Sequence, residues 1–211
     1  MTFAEMLADF QGILNRQDCS DALARTYLNQ GIRRIQCEAR WPSMERYITI
    51  ETEGTEPSIT SFMIPDDFLQ PIDVFHLPGK EWGEQMKALP KKPYRTLLTI
   101  SPQNSPSAYA RFMNAMFIRG SCPDTDSLVM HYYAQFSAFA SDDGENELST
   151  SAPDLAVYAG LVYAGKRFQI DEANTWEGIY QEIKNEMDGL SIDTDAEGGP
   201  QEVQMAYGET D

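Results

Sequence analysis

The stretch IRRIQCEARWPSMERYITI, residues 32–50, contains the change of hydrophobic period that decides the fold. Up to Ala39 its apolar residues recur every three or four positions, which is typical of one face of an α-helix. Trp41 and Pro42 end that helix, because the residue before a proline is pushed out of the α region. The run YITI, residues 47–50, is β-branched and aromatic and predicts a strand. The chain therefore passes from helical to extended structure within these residues.

Two helices are predicted before this point. Thr2 and Glu5 form a T-x-x-E capping box ahead of apolar residues at helical spacing. A second helix is expected to have Ser20 as its N-cap and to run to about Ala39. The apolar stripes of the two helices, which must pack against other elements, are Phe3, Met6, Leu7, Phe10, Ile13 and Leu14, and then Ala24, Tyr27, Leu28, Ile32 and Ile35.

After the second helix, short β-branched and aromatic runs alternate with Pro, Gly, Asn, Asp and Ser, which is typical of an antiparallel β domain. The stretch 97–106 is expected to be a connecting loop. The predicted strands are residues 47–50, 59–64, 72–77, 109–113, 116–119 and 128–134.

Helical periodicity returns after the acidic stretch SDDGENE. Pro153 suits the first turn of a helix, and apolar stripes run over residues 155–168 and 173–187. Gly189 is expected just after the end of the last helix. Residues 190–211 contain six acids and no base and show no periodicity, so they predict an arm that is disordered when alone.

These elements predict an α+β fold. The N- and C-terminal helix pairs are expected to form a four-helix layer, with a small antiparallel β domain inserted between them. The predicted segments are 1–43 for the first helix pair, 44–140 for the β domain, 141–189 for the second helix pair and 190–211 for the C-terminal arm.

The charge is large and unevenly divided. The 211 residues include 33 Asp and Glu against 16 Lys and Arg, a net charge of −17, which excludes whole-surface attraction to nucleic acids or anionic membranes. Residues 16–46 hold six arginines against four acids, whereas residues 141–211 hold 17 acids and three bases. Two interpretations stay open: the arginines meet acids of a neighbouring copy, or they pair within the chain. The inter-subunit candidates are Arg25, Arg33, Arg34 and Arg40.

The sequence contains no phosphate-binding, dinucleotide-binding, zinc-protease, nucleophile-elbow or calcium-loop motif. His131 is predicted to be a hydrogen-bonded structural residue within a strand, and His76 to lie beside a turn. The three cysteines are odd in number and lack zinc spacing, which indicates a reducing compartment. We therefore expect no enzyme activity, metal or cofactor, and a soluble protein made in a cytoplasm, with no secretory leader or membrane span.

The order of several short motifs resembles the head–tail adaptor, or connector, proteins of tailed bacteriophages. The resemblance extends over nearly the whole chain. The motifs that carry it are the T-x-x-E-M-L start of the first helix, Asn15-Arg16-x-Asp18, residues 39–45 (ARWPSME), 64–69 (IPDDFL) and 128–134 (LVMHYYA), and Tyr158, Ala159, Tyr163 and Ala164 of the last helix pair.

The resemblance implies a structural virion protein at the head–tail interface, synthesised in the host cytoplasm. Such proteins form a ring, commonly of twelve copies, that docks below the portal protein, extends the DNA channel and provides a platform for the tail or nozzle protein. Residues 2–41 and 152–189 would then form the ring wall, and residues 190–211 the arm that contacts the portal. The arm's apolar Val203, Met205 and Tyr207 are two apart, as in an added β-strand.

Genomic DNA would pass through the lumen of that ring without specific binding. Twelve copies at −17 carry roughly −204 charges, and a net-negative lumen would let DNA slide. Two other interpretations stay open: a carboxylate-dependent cell-wall hydrolase of the tail, and a monomeric binding module that exposes the aromatic segment 112–136.

Overall fold

The computed structural model describes residues 1–51, 59–80, 86–101, 103–139 and 141–196, and their side chains up to residue 190. Within these residues the protein is α+β, as predicted, with six α-helices and two small antiparallel sheets. The helices are α1 (Phe3–Leu14), α2 (Asp21–Glu38), α3 (Tyr94–Thr99), α4 (Glu147–Ser151), α5 (Pro153–Phe168) and α6 (Ala173–Ala196). The strands are β1 (Glu45–Glu51), β2 (Ile59–Met63), β3 (Phe68–Leu77), β4 (Lys87–Ala88), β5 (Ala108–Phe112), β6 (Ala115–Arg119) and β7 (Ser127–Ala134).

The chain divides into two compact units. The helical unit consists of residues 1–42 and the chain from residue 138 onward, and the β unit consists of residues 43–137. Helices α1, α2, α4, α5 and α6 belong to the helical unit, whereas α3 and the seven described strands belong to the β unit. The β unit is thus an insertion between two halves of the helical unit.

The start of α1 is fixed from two directions. The capping box is confirmed: the Glu5 N–H donates to Thr2 Oγ1 at 3.2 Å, and the Thr2 N–H donates to Glu5 Oε2 at 2.8 Å. The N–H groups of Phe3 and Ala4 donate to backbone carbonyls of the acidic stretch, at Gly144 and Asp142. This stretch therefore supplies acceptors that the first turn of a helix lacks.

Helix α5 lies at the centre of the helical unit and contacts α1, α2, α4 and α6. Its buried residues lie all round the helix, as expected for an element covered on several sides. Helix α2 crosses it at very close range, since a Cβ built on Gly31 would lie 2.5 Å from the backbone nitrogen of Gly160. Two glycines thus allow the two backbones to meet.

The end predicted for the last helix is wrong. Helix α6 continues through Gly189 to Ala196. A glycine ends a helix when it adopts the left-handed conformation, and Gly189 does not, since the glycines with positive φ in the described residues are Gly79 and Gly120. Within a helix it costs only about 1 kcal/mol relative to alanine. The first seven residues of the predicted arm therefore belong to α6.

The β unit contains a four-stranded sheet in the order β1-β7-β3-β4 and a three-stranded sheet in the order β2-β6-β5. The predicted strands are confirmed, and the seven described strands pair with one another in antiparallel fashion. Both sheets contribute to one apolar core, which consists of Ile64, Phe68, Val74, Leu89, Tyr109, Met116, Ile118, Cys122, Leu128, Met130, Tyr132 and Ala134.

The loop predicted over residues 97–106 begins with helix rather than loop. Helix α3 starts after Pro93 and includes Leu97, which is fully buried against Ala108 and Ala110 of β5. A six-residue helix has little stability of its own, so its packing on the sheet, which the sequence pattern does not encode, stabilises it.

Candidate functional site

The predicted inter-subunit arginines lie on α2 and just after its end, and Arg34 is the most enclosed of the paired ones. Its guanidinium forms two hydrogen bonds to the Glu177 carboxylate of α6, at 2.6 and 2.8 Å, and a third to Glu38 at 2.9 Å. It also lies 4.1 Å from the centroid of the Tyr180 ring. The Arg34 side chain is only 15% exposed, so this ion pair is partly shielded from water and joins α2 to α6.

Two further hydrogen bonds extend this contact along α6. The Tyr180 hydroxyl donates to Glu38 at 2.6 Å, and the Trp41 indole N–H donates to Asp188 at 2.8 Å. Burial, together with the bond to Glu38, raises the pKa of Tyr180, so its hydroxyl stays a donor at physiological pH. The residues that end α2 are therefore fixed against the last helix.

Acid is expected to weaken this contact. The hydrogen bonds from Arg34 lower the pKa of Glu177 from the ordinary 4.5 to about 2, against the opposing effect of burial. Because the folded-state pKa is the lower one, the ion pair contributes its stability above the unfolded pKa and loses it as the pH falls through the folded pKa. We expect unfolding midpoints in urea to decrease between about pH 4.5 and pH 2 more steeply for the native chain than for Glu177→Gln. Equal slopes for the two proteins would contradict this assignment.

Arg25 and Arg40 are also engaged within the chain. Arg25 forms a two-bond ion pair with Asp142 of the acidic stretch, at 2.6 and 2.7 Å, and its guanidinium lies 5.4 Å from the Phe3 ring centroid. Arg40 donates to the backbone carbonyls of Gln36 and Ala39. Arg25 and Arg34 therefore form ion pairs within the chain, which is one of the two interpretations of the sequence. A role of these arginines between copies stays a prediction.

Arg33 differs from these three. Its side chain is exposed and has no ion pair with the residues that the structure describes. It lies at an open pocket of about 370 Å³ on α2 and α5, which is lined by Gln30, Arg33, Arg34, Cys37, Glu38 and Tyr163. Because the other cation of the pocket is already paired, Arg33 is the group there that is available to bind a carboxylate from another molecule.

The remaining predicted residues are three in the arm and two histidines. Val203, Met205 and Tyr207 lie outside the described residues. His131 lies in a strand, β7, as predicted, and its Nε2 is 3.0 Å from Glu45 Oε2. His76 lies beside a turn, as predicted, since it is near the end of β3 and the turn at residues 78–80 follows; its buried ring is 2.8 Å from Asp126, fifty residues away in the chain. The described residues contain no group of three metal-ligating side chains, and none of their helices is long and apolar enough to cross a membrane.

Sequence reasoning missed Glu177, Tyr180 and Asp188 as partners of residues on α2 and just after its end. The only local signal was their spacing on one side of α6. Sequence reasoning also missed the distribution of cations in the β unit. Residues 86–119 contain six lysines and arginines and no acid, in a chain with a net charge of −17.

The helical unit combines the two ends of the chain, and its surface carries both paired and unpaired charged side chains. The family model of SU10 adaptor proteins matches residues 1–204, so the chain belongs to the SU10 adaptor protein family, a family of phage head–tail adaptors. No curated protein matches the chain.

Membership confirms the resemblance noted from the sequence motifs. The protein is a structural component of a phage virion at the head–tail junction, and the family implies interaction with portal and tail components.

Proposed function

We propose that twelve copies of the protein form a ring that docks below the portal, extends the DNA channel and provides a platform for the tail or nozzle. The observation that carries this proposal is the family match over residues 1–204. The fold supports it, because the β unit is an insertion that leaves the helical unit intact.

In this ring, helices α1, α2, α5 and α6 form the four-helix layer of the wall. Arg33 binds an acid of the neighbouring copy in the pocket beside it. Such a head-to-tail contact uses different surfaces on its two sides, and it closes into a ring when the rotation between copies permits. Genomic DNA passes through the lumen without specific binding.

The direct test is to mix the full-length protein with its purified portal protein and to image the product by electron microscopy. We expect a closed ring on one face of the portal. Light scattering after size exclusion reports whether the ring also forms without the portal. Absence of a ring below the portal would overturn the adaptor proposal.

Removal of residues 197–211 is expected to weaken docking to the portal. The truncation removes the part of the proposed arm that follows Ala196 and leaves the described part of α6 in place. We expect at least about a tenfold loss of affinity, which corresponds to roughly 1.4 kcal/mol. Biolayer interferometry on immobilised portal measures it.

A matched pair of full-length variants separates the arm's apolar positions from its mere presence. Val203→Ser with Met205→Ser changes the proposed anchors, whereas Gln204→Ser with Ala206→Ser changes the positions between them. We expect only the first variant to dock weakly. If both variants dock like the native chain, Val203 and Met205 are not the portal contact.

A further inference from the structure

Among the residues that the structure describes, the β unit has more cations without an ion pair than α2 has. Lys87, Lys91, Lys92, Arg95 and Arg111 are all exposed, and none has an ion pair with the residues that the structure describes. The charge of Asp73 acts on Tyr109 of β5, but this is one acid against five cations. In an acidic protein, such a region is a site of opposite charge to most of the surface.

Lys91, Lys92, Arg95 and Arg111 lie at the β5 edge of the three-stranded sheet, whereas Lys87 belongs to β4 of the other sheet, a few residues earlier in the chain. The Lys92 N–H donates to the Tyr109 carbonyl of β5 at 2.8 Å, and Lys91 forms a bridge with the same residue. Arg95 belongs to α3, which packs on β5, and Arg111 belongs to β5 itself. Main-chain bonds therefore place residues 91 and 92 along the strand that carries Arg111.

The same sheet ends in exposed apolar side chains. Met113, at the turn between β5 and β6, is 80% exposed, and Met63, at the end of β2, is 70% exposed. Met63 of β2 and Phe112 of β5 both lie opposite Ala115 of β6. Met63 and Met113 are therefore at the same end of the sheet. Met113 also has a φ of 53°, a left-handed conformation that rarely suits a methionine. We call these cations and methionines the basic edge.

The helical unit carries a surface with the complementary composition. Glu182, Glu186 and Leu190 follow one another at intervals of four along α6 and therefore share one side of the helix. All three are exposed, and Leu190 is 62% exposed. Two acids and an apolar residue thus match the two kinds of side chain at the basic edge.

We propose that the basic edge of one copy binds the Glu182, Glu186 and Leu190 side of α6 in a neighbouring copy. The proposal rests on the ring described under the proposed function and names a contact between its subunits. Nucleic acid would satisfy the cations but not the exposed methionines, whereas a surface with acids and a leucine satisfies both. The opposite charges set the register of the contact, and the apolar side chains bury surface within it.

Charge reversal tests this contact. We expect Lys91→Glu with Lys92→Glu to weaken self-association about tenfold in sedimentation velocity at low salt, and Glu182→Lys with Glu186→Lys to do the same. The decisive sample is a mixture of the two variants, in which the reversed charges face each other and association is expected to recover. The matched control is Lys166→Glu with Arg167→Glu, which changes the net charge equally at exposed positions of α5.

Three results would overturn the contact. The first is that the Lys91→Glu, Lys92→Glu variant self-associates as strongly as the control variant and forms rings on the portal equally well. The second is a mixture of the two charge-reversed variants that does not recover. The third is binding of a 30-base-pair duplex that the Lys91 and Lys92 variant loses, measured by fluorescence anisotropy, since it would assign the basic edge to nucleic acid. Rings that form on the portal with all variants would reject this contact but keep the adaptor function, whereas no ring with any protein would reject both.

Discussion

Replacing Gly31 by alanine is expected to lower the free energy of unfolding of the helical unit by about 3 kcal/mol, the upper end of the range for overpacked cores. The added Cβ would lie 2.5 Å from the Gly160 nitrogen and 2.9 Å from the Ala159 carbonyl carbon. Both atoms belong to the backbone of α5, so no side-chain rotation relieves the clash. Helices α2 and α5 must move apart, although the alanine itself favours helix by up to about 1 kcal/mol.

The consequence extends beyond one pair of helices, because α5 is the element that the other helices of this unit contact. Urea unfolding followed by circular dichroism at 222 nm measures the change. The fluorescence of Trp41 and Trp176, both buried in the helical unit, gives a second probe.

Gly12→Ala is the matched control. Gly12 also lies within a helix, but a Cβ there has no atom within 4 Å. The same substitution is therefore expected to stabilise the protein by about 0.5 to 1 kcal/mol. A Gly31→Ala protein as stable as the Gly12→Ala protein would show that the crossing of α2 and α5 is not as close as described.

Local chemistry made much of the fold predictable. The capping box of Thr2 and Glu5 and the break at Trp41 and Pro42 depend on residues within four positions of each other, and both occur as predicted. The strands were predictable for the same reason. The order of the sheets was not, because β1 pairs with β7, some eighty residues later in the chain, through no short-range signal.

The candidate site was predictable only in part. The concentration of arginines on α2 is visible in the sequence, but Arg34 and Glu177 are 143 residues apart, and nothing local links them. His76 shows the same limit, since its partner Asp126 is fifty residues away. The error at Gly189 has a different cause. Glycine often follows the end of a helix, but here the helix continues through it at a small cost in helix stability.

Removing the Arg34 side chain is expected to have the second large effect. Arg34→Met keeps much of the side-chain length but leaves the carboxylates of Glu177 and Glu38 without their shared cation. Breaking a buried ion pair costs about 3 to 5 kcal/mol, and since Glu177 is 31% exposed we expect about 2 to 3 kcal/mol. Urea unfolding at neutral pH measures this loss.

Arg16→Met is the matched control for this substitution. Arg16 also forms a two-bond ion pair, with Asp18, and its guanidinium lies 4.9 Å from the Phe168 ring centroid. Its side chain is 39% exposed and that of Asp18 is 55% exposed, so water screens this pair and we expect a much smaller loss than for Arg34→Met. Equal losses for the two variants would mean that shielding from water adds nothing to the Arg34 contact.

A double-mutant cycle then identifies the source of the Arg34 effect. In the Glu177→Gln background, Arg34→Met no longer leaves a carboxylate of α6 unpaired, so its cost is expected to be smaller by about 1 kcal/mol or more. If the two losses instead add, the arginine acts through the Tyr180 ring and Glu38. The Arg34 contact matters for the proposed ring wall, because it fixes α2 against α6, and α6 leads into the proposed portal arm.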